Sequence, residues 1–230
     1  MSGRNVFMGR KEMKQSVKVV WATPDLDNHL AYIARVSNPD NQDNPKIEGL
    51  LNYMMREGHV SPFTMCNVCL EFNTPRDIAR QALRHSSMPP QEFSQRYQDV
   101  SKLGEFYIRE FRLQDEDNRQ SSIEVPDDHP LAAEWKQRQE KLLEAVRENY
   151  EWCINNGGAK EVARVILPEG LTPSRLYFNG NMRSWIFYLK SRLHESTQKE
   201  HRELAQMVLE ALRPAAPVTM NAFFPQDDNV

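Results

Sequence analysis

Gln81-Ala-Leu-Arg84-His85-Ser86-Ser-Met-Pro89-Pro90-Gln91-Glu92-Phe-Ser94-Gln95-Arg96-Tyr97 is the stretch on which the reading of this chain turns. It holds two arginines, a histidine, a glutamate, three serines and a tyrosine. Such polar density between apolar-patterned flanks is costly in a core and useful in a binding site. Upstream, Thr74 before Pro75 has the chemistry of an N-cap followed by proline at the first helical position, which predicts a helix starting there. On that helix Gln81, Arg84 and His85 share one face of the last turn. Pro89-Pro90 ends it, because residues before proline avoid the α region. Beyond the prolines, an extended chain puts Glu92, Ser94 and Arg96 on one face. A helix end and a strand start then offer Gln, Arg and His opposite Glu, Ser and Arg. That set suits a bound anion with hydrogen-bonding edges, such as a nucleotide. A surface ion-pair network at a helix terminus is the other reading, and residue types alone leave both open.

Working outward, the chain has 230 residues, 40% of them hydrophobic and 27% charged, which fits one medium globular domain with its own core. The formal net charge of −3 argues against a nucleic-acid or generic polyanion binder but permits a local cationic pocket. No apolar run reaches the length of a membrane span. Residues 1–16 carry Arg4, Arg10, Lys11 and Lys14 without an apolar segment, which reads as a basic flexible arm rather than a secretory signal. Three cysteines, an odd number, fit a reducing, cytoplasmic compartment. Cys66 and Cys69 are three apart, but Cys66, Val68, Leu70 and Phe72 alternate with polar positions as in a strand. The two thiols then point to opposite faces, and no second pair completes a metal site.

In order, 17–22 reads as a strand, and Asp27 as the cap of a helix through Leu30, Ile33 and Ala34. Asn44-Pro45 opens a second helix, stopped by Gly58. Residues 98–130 are polar and proline-spotted, a long excursion suited to a lid or a subunit contact. A long helix follows over 131–155, with Trp135, Leu142, Val146, Tyr150 and Cys153 at helical spacing. Residues 159–167 form a short helix with Glu161 and Arg164, and 176–178 a strand. Asn181 caps a helix with Met182, Trp185, Ile186, Leu189 and Leu193 inward. Arg192 lies about 20° from Asn181 around that helix, placed to cap carbonyls or to bind an anion. A last helix spans 198–212, leaving 17–213 as the folded domain and 214–230 as a loose tail. No Gly-x-Gly-x-x-Gly or P-loop is present.

Arg84-His85-x, seven residues, Ser94, then Arg96-Tyr97 resembles the signature of the flavin-dependent thymidylate synthases (ThyX). That signature is Arg-His-Arg, seven residues and Ser, with Asn/Gln-Glu before the serine and Arg-Tyr after it. Further family motifs follow in order between Ala31 and Ala205: Ala34-Arg-Val-Ser37, Gly58-His59-x-Ser61-Pro62-Phe63, Glu161-Val-Ala-Arg164 with Ile166-Leu-Pro168, and Asn181-x-Arg183-Ser184 through Arg192. The resemblance implies an α/β (α+β) fold, a central antiparallel sheet flanked by helices, in a homotetramer whose active sites draw on several subunits. It also implies methylation of dUMP to dTMP, with methylenetetrahydrofolate as carbon donor, FAD and NADPH supplying the hydride, no catalytic cysteine and no metal. By position, the dUMP contacts are Gln81, Arg84, Glu92, Ser94, Gln95, Arg96, Arg164 and Arg192. Arg192 would favour the ionised uracil ring and Ser94 would lie beside the reacting carbon. The FAD contacts are Ser37, His59, Ser61, Arg84, His85, Ser86, Glu92, Asn181 and Arg183. His59 alone also reads as an ordinary structural histidine.

The departures from the family pattern fall mainly on the flavin side. Ser86 stands where the third signature residue is arginine, Pro89-Pro90 where a small or polar residue is usual, and Phe187 where a polar flavin-side residue is expected. Gln91 replaces the commoner asparagine, and Thr64-Met65 a Glu-His. Besides a working synthase, the pattern admits a hydroxymethylase, in which water captures the activated methylene group, and a nucleotide binder without catalysis. Removing an arginine contact to a phosphate or ring costs a few kcal/mol, so FAD should be lost readily on purification. The visible absorbance of the purified protein measures this, and full retention of tightly held flavin would contradict it.

Overall fold

The computed structural model describes residues 13–226, so residues 1–12 of the basic arm and the last four of the tail lie outside the described residues. The chain runs β1 (Ser16–Ala22), α1 (Leu26–Ala34), α2 (Glu48–Arg56), β2 (Asn67–Pro75), α3 (Arg76–Ala82), β3 (Pro90–Glu92), β4 (Arg112–Gln114) and β5 (Ser122–Glu124). It continues with α4 (Pro130–Asn155), α5 (Lys160–Ala163), β6 (Pro173–Asn181), α6 (Met182–Arg192), α7 (Lys199–Leu212) and α8 (Pro217–Phe223). Four strands pair in the order β1-β2-β6-β3, and β4 pairs antiparallel with β5. The fold is thus a mixture of helices and antiparallel sheet, the class expected. The described residues group into two compact units. One comprises 13–15, Asn73–Ala82 and Glu92–Leu176; the other comprises Ser16–Phe72, Leu83–Gln91 and 177–226. No helix among the described residues is long and apolar enough to cross a membrane.

In the second unit, Val68, Leu70 and Phe72 of β2 are fully buried while Cys69 and Glu71 are half-buried, the period-2 pattern of a one-sided strand. Phe72 packs on Phe178 of β6 and on Trp185 and Tyr188 of α6, at ring separations of 5.2, 6.1 and 6.4 Å. The Trp185 indole N–H donates to the Val68 carbonyl at 3.0 Å, satisfying a buried donor. Two expectations fail here for one reason. Asp27 does not cap α1, which begins one residue earlier, and 217–223 are not a loose tail but helix α8. The buried Asp27 carboxylate accepts from the backbone N–H groups of Val218 (2.7 Å) and Thr219 (3.3 Å) and from the Thr219 hydroxyl (2.5 Å). A buried carboxylate needs such donors, and α8 supplies them.

The same unit holds the loop between α3 and β3. Met88 is buried, and a Cβ on Gly180 would lie 2.8 Å from its Sδ and 2.9 Å from Trp185 Nε1. The missing side chain therefore opens the seat for Met88, whose burial stabilises the loop by roughly 2 kcal/mol. Deeper still, His201 of α7 is fully buried with its Nε2 3.2 Å from Tyr188 Oη, and burial holds its pKa down to about 3.

In the first unit, α4 corrects the expected stripe. Trp135 and Leu142 are 41% and 50% exposed, whereas Gln139 and Leu143 are buried. The inward face is Gln139, Leu143, Val146 and Tyr150, packed with Phe106, Leu171, Val100 and Ala163. A glutamine at a core position concealed this register. Its amide accepts from Arg109 N at 2.9 Å and donates to Arg109 O at 2.8 Å, as a neighbouring strand would. Arg109 also donates to Asp77 Oδ1 (2.7 Å) and Gly170 O (3.2 Å), so the 98–130 segment is fastened at this point. Thr74 does not cap α3 either. Strand β2 continues through Pro75, and the Thr74 hydroxyl donates to Gln15 Oε1 at 2.6 Å.

Two measurements test these contacts. Gly180→Ala should unseat Met88 and cost about 1–3 kcal/mol in a denaturant titration, as overpacking does. For His201 the folded pKa lies below the ordinary 6.5, so the unfolded chain binds more protons between about pH 6.5 and 3. Stability should fall as pH is lowered through that window, and His201→Gln should show a smaller fall between pH 7 and 4.5.

Candidate active site

Helix α3 ends at Ala82, so Arg84 and His85 do not occupy its last turn as expected. Two short turns follow, with Ser86 N–H on Arg84 O and Met88 N–H on His85 O, both at 3.1 Å. Within the second unit these turns bring His85 to Arg192, whose Nε–H donates to His85 Nε2 at 2.9 Å. The ring of Tyr188, one turn before Arg192 on α6, meets the His85 ring edge-on at 4.9 Å. Burial, and then the charge of Arg192, hold the His85 pKa down to about 4, so the imidazole is neutral near pH 7. Tyr188 and His201 behind this pair were not singled out by sequence reasoning; only a fold that packs α6 on α7 unites them.

Asn181 caps α6 as expected, its Oδ1 accepting from Ser184 N–H at 2.9 Å. Its side-chain Nδ2 remains as a donor. Arg183 is exposed and lies over the ring of Phe187, 5.5 Å from guanidinium carbon to centroid. Phe187 is 48% exposed, so this apolar substitution is no core residue. Ser37 is exposed in the turn after α1, and Ser61 is exposed at the start of the turn 62–64, which packs on α1 and α6. His59 is exposed, its ring edge-on to Tyr53 at 5.7 Å. Ser86 is exposed.

The first unit holds the other expected residues. Strand β3 stops at Glu92 and residues 94–98 turn, with Tyr97 N–H and Gln98 N–H both on Ser94 O at 3.1 Å. Glu92, Ser94 and Arg96 therefore share no strand face, contrary to expectation. The cause is that pairing ends once Phe93 N–H has reached Arg175 O at 2.9 Å. The Glu92 carboxylate is held through Oε1 by Arg76 (3.2 Å), by the Ser174 hydroxyl (2.7 Å) and by Arg80. Arg76 and Arg80 also approach Glu169, at 3.4 and 4.0 Å. These two arginines, at i and i+4 on α3, were missed, although their spacing is a readable signal. Ser94 Oγ accepts from Arg96 N–H at 3.4 Å, and the Arg96 guanidinium pairs with Glu161 at 3.4 Å. Gln95 is 7% exposed and its Nε2 has no partner among the described residues. Gln81 is half-buried on α3.

The charge pattern is selective. Arg76, Arg80, Arg109, Arg138 and Arg147 each pair with a carboxylate. The Arg84 and Arg164 guanidinium groups and the terminal nitrogens of Arg192 have no hydrogen-bond or ion-pair partner among the described residues, and Arg183 contacts only an aromatic ring. Planar forks left open in an acidic chain suit phosphate oxygens and the carbonyl edge of a pyrimidine. Exposed Arg84 and Arg183, the amide of Asn181 and the hydroxyls of Ser37, Ser61 and Ser86 likewise fit the phosphate and ring edges of a flavin nucleotide. All three cysteines are free, and burial raises the thiols of Cys66 and Cys69, which disfavours a thiolate there. No cluster of metal-ligating side chains is found among the described residues.

With the geometry in hand, known proteins give it context. A family profile described as "Thymidylate synthase complementing protein" matches residues 18–218. A "Probable flavin-dependent thymidylate synthase" of Paramecium bursaria Chlorella virus 1 is 42% identical over 200 residues, covering 86% of this chain and 90% of that protein. A "Flavin-dependent thymidylate synthase" of Synechocystis is 46% identical over 177 residues, covering 76% and 79%. Among solved structures, the UMP/dUMP methylase PolB from Streptomyces cacaoi bound with 5-Br dUMP superposes with a TM-score of 0.78 at 28% identity, covering 91% of this chain and 94% of that one. The same enzyme bound with 5-Br UMP gives a TM-score of 0.78 at 27% identity. Match length, identity and fold agree: the chain belongs to the flavin-dependent thymidylate synthase family.

Proposed function

We propose that this chain catalyses the reductive methylation of dUMP to dTMP, with FAD as cofactor and with methylenetetrahydrofolate and NADPH as co-substrates. The observation that carries the reading is that the guanidinium groups of Arg84 and Arg164 and the terminal nitrogens of Arg192 have no acidic partner among the described residues. Arg84, Arg96 and Arg164 neutralise the nucleotide phosphate, and Gln81, Glu92, Ser94 and Gln95 orient its sugar and base. The terminal nitrogens of Arg192 hold the uracil edge, where a permanent cation stabilises developing negative charge on the ring. Ser94 lies beside the reacting carbon. Ser37, His59, Ser61, Arg84, His85, Ser86, Glu92, Asn181 and Arg183 hold the flavin, which when bound supplies the hydride that completes the methyl group. The active enzyme is a homotetramer whose sites draw on more than one subunit, acting in a reducing, cytoplasmic compartment. Residues 17–213 are its catalytic part, and 98–130 a lid or subunit contact.

The test combines the purified protein with FAD, NADPH, methylenetetrahydrofolate and either dUMP or UMP, and weighs the product by mass spectrometry. The expected product is dTMP. UMP is included because the PolB structures carry analogues of both nucleotides. Arg192→Gln should lower kcat/KM for dUMP roughly hundredfold, the usual cost of an electrostatic contact to the transition state. A hydroxymethyl product, or dUMP binding without turnover, would replace this reading.

A further inference from the structure

An arginine that must hold a flat ring edge needs its own plane fixed, because a free guanidinium swings about several bonds and loses entropy on binding. In the second unit, Arg192 has such a support. Its Nε–H points at His85 Nε2 at 2.9 Å, which fixes one edge of the fork. This contact also fixes the imidazole. Nε2 can accept only if it carries no proton, so the ring hydrogen of the neutral form sits on Nδ1.

His85 is in turn held in place. Tyr188 and Arg192 are four residues apart on α6, so they project from the same flank and bracket the His85 ring, Tyr188 edge-on at 4.9 Å. The Tyr188 hydroxyl is anchored against His201 Nε2 at 3.2 Å, in the buried interior between α6 and α7. From the other side the loop carrying His85 is pinned by Met88 over Gly180. A neutral histidine beside an arginine is also an electrostatic necessity: protonated, it would repel the guanidinium and lose the accepting lone pair.

We propose that His85 is a positioning residue for Arg192, whose guanidinium plane it sets through the Nε–H contact so that Nη1 and Nη2 face the pyrimidine nucleotide. This rests on the reading that Arg192 contacts the nucleotide, and it gives His85 a task separate from any contact with flavin.

The experiment measures dUMP dissociation constants by calorimetry, together with bound flavin by absorbance, for the flavin-loaded full-length protein and four variants. These are His85→Phe, His85→Gln, Arg192→Lys and the His85→Phe/Arg192→Lys double variant. A hydrogen bond to a charged group predicts that His85→Phe weakens dUMP binding about tenfold in the wild-type background. In the Arg192→Lys background, which lacks the Nε–H, the same change should cost less than about twofold. His85→Gln keeps an acceptor oxygen and should recover most of the affinity, which a purely packing role would not produce. Equal losses in both backgrounds, or a His85→Phe protein that loses flavin but binds dUMP normally, would overturn the proposal. A wild-type protein that binds no dUMP would instead overturn the functional reading beneath it.

Discussion

The absence of a side chain at Gly180 is the constraint on which the signature loop depends. Met88 occupies the space a Cβ would fill, against the Trp185 indole, and the turns that carry Arg84 and His85 hang from that contact. Trp185 is itself fixed by its bond to the Val68 carbonyl and by Phe72. A polar loop with two prolines and little regular hydrogen bonding thereby acquires a single position, because one buried thioether is shaped to one notch in β6. Polar groups that face a ligand make few bonds of their own, so their placement has to come from apolar packing nearby.

The distribution of charge follows the same division of labour. Arg76 and Arg80 on α3 and Arg109 in the 98–130 segment pair with Glu92, Glu169 and Asp77 within the first unit. Of those named by the family motifs, Arg84, Arg164 and Arg183 have no acidic partner among the described residues and Arg192 is held by neutral His85, whereas Arg96 pairs with Glu161. An acidic chain with excess carboxylates could have paired the open ones, and each pairing would have cancelled an exposed cation.

How far the sequence could be read depended on the range of the interactions. The alternation through Val68, Leu70 and Phe72, the Asn181 cap and the stop at Gly58 are local signals, and the structure has them where local chemistry puts them. Helix α4 was visible as a helix but not in its register, because Gln139 faces inward and is satisfied by Arg109, thirty residues away. Thr74 has cap chemistry, yet strand pairing claimed it. Asp27 looked like a cap because its partner Thr219 is 192 residues distant. The same blindness hid His201 behind Tyr188. At the site, the ordered motifs identified the family, whereas the turn that separates Ser94 and Arg96 from Glu92 came from the end of strand pairing.

The Asp27 contact also sets the order in which this protein can be made. The second unit draws its core from Ser16–Phe72 and from 177–226, with the first unit's longest segment synthesised between them. Its early strand and helices cannot be completed as the ribosome delivers them. They wait, with a carboxylate lacking its donors and apolar faces uncovered, until Thr219 has emerged. Closure of so wide a loop is slow, and apolar faces left uncovered until then favour misassociation. The helix that finishes the fold is thus also a checkpoint of synthesis: a chain truncated before it leaves that carboxylate without the donors it is built to meet.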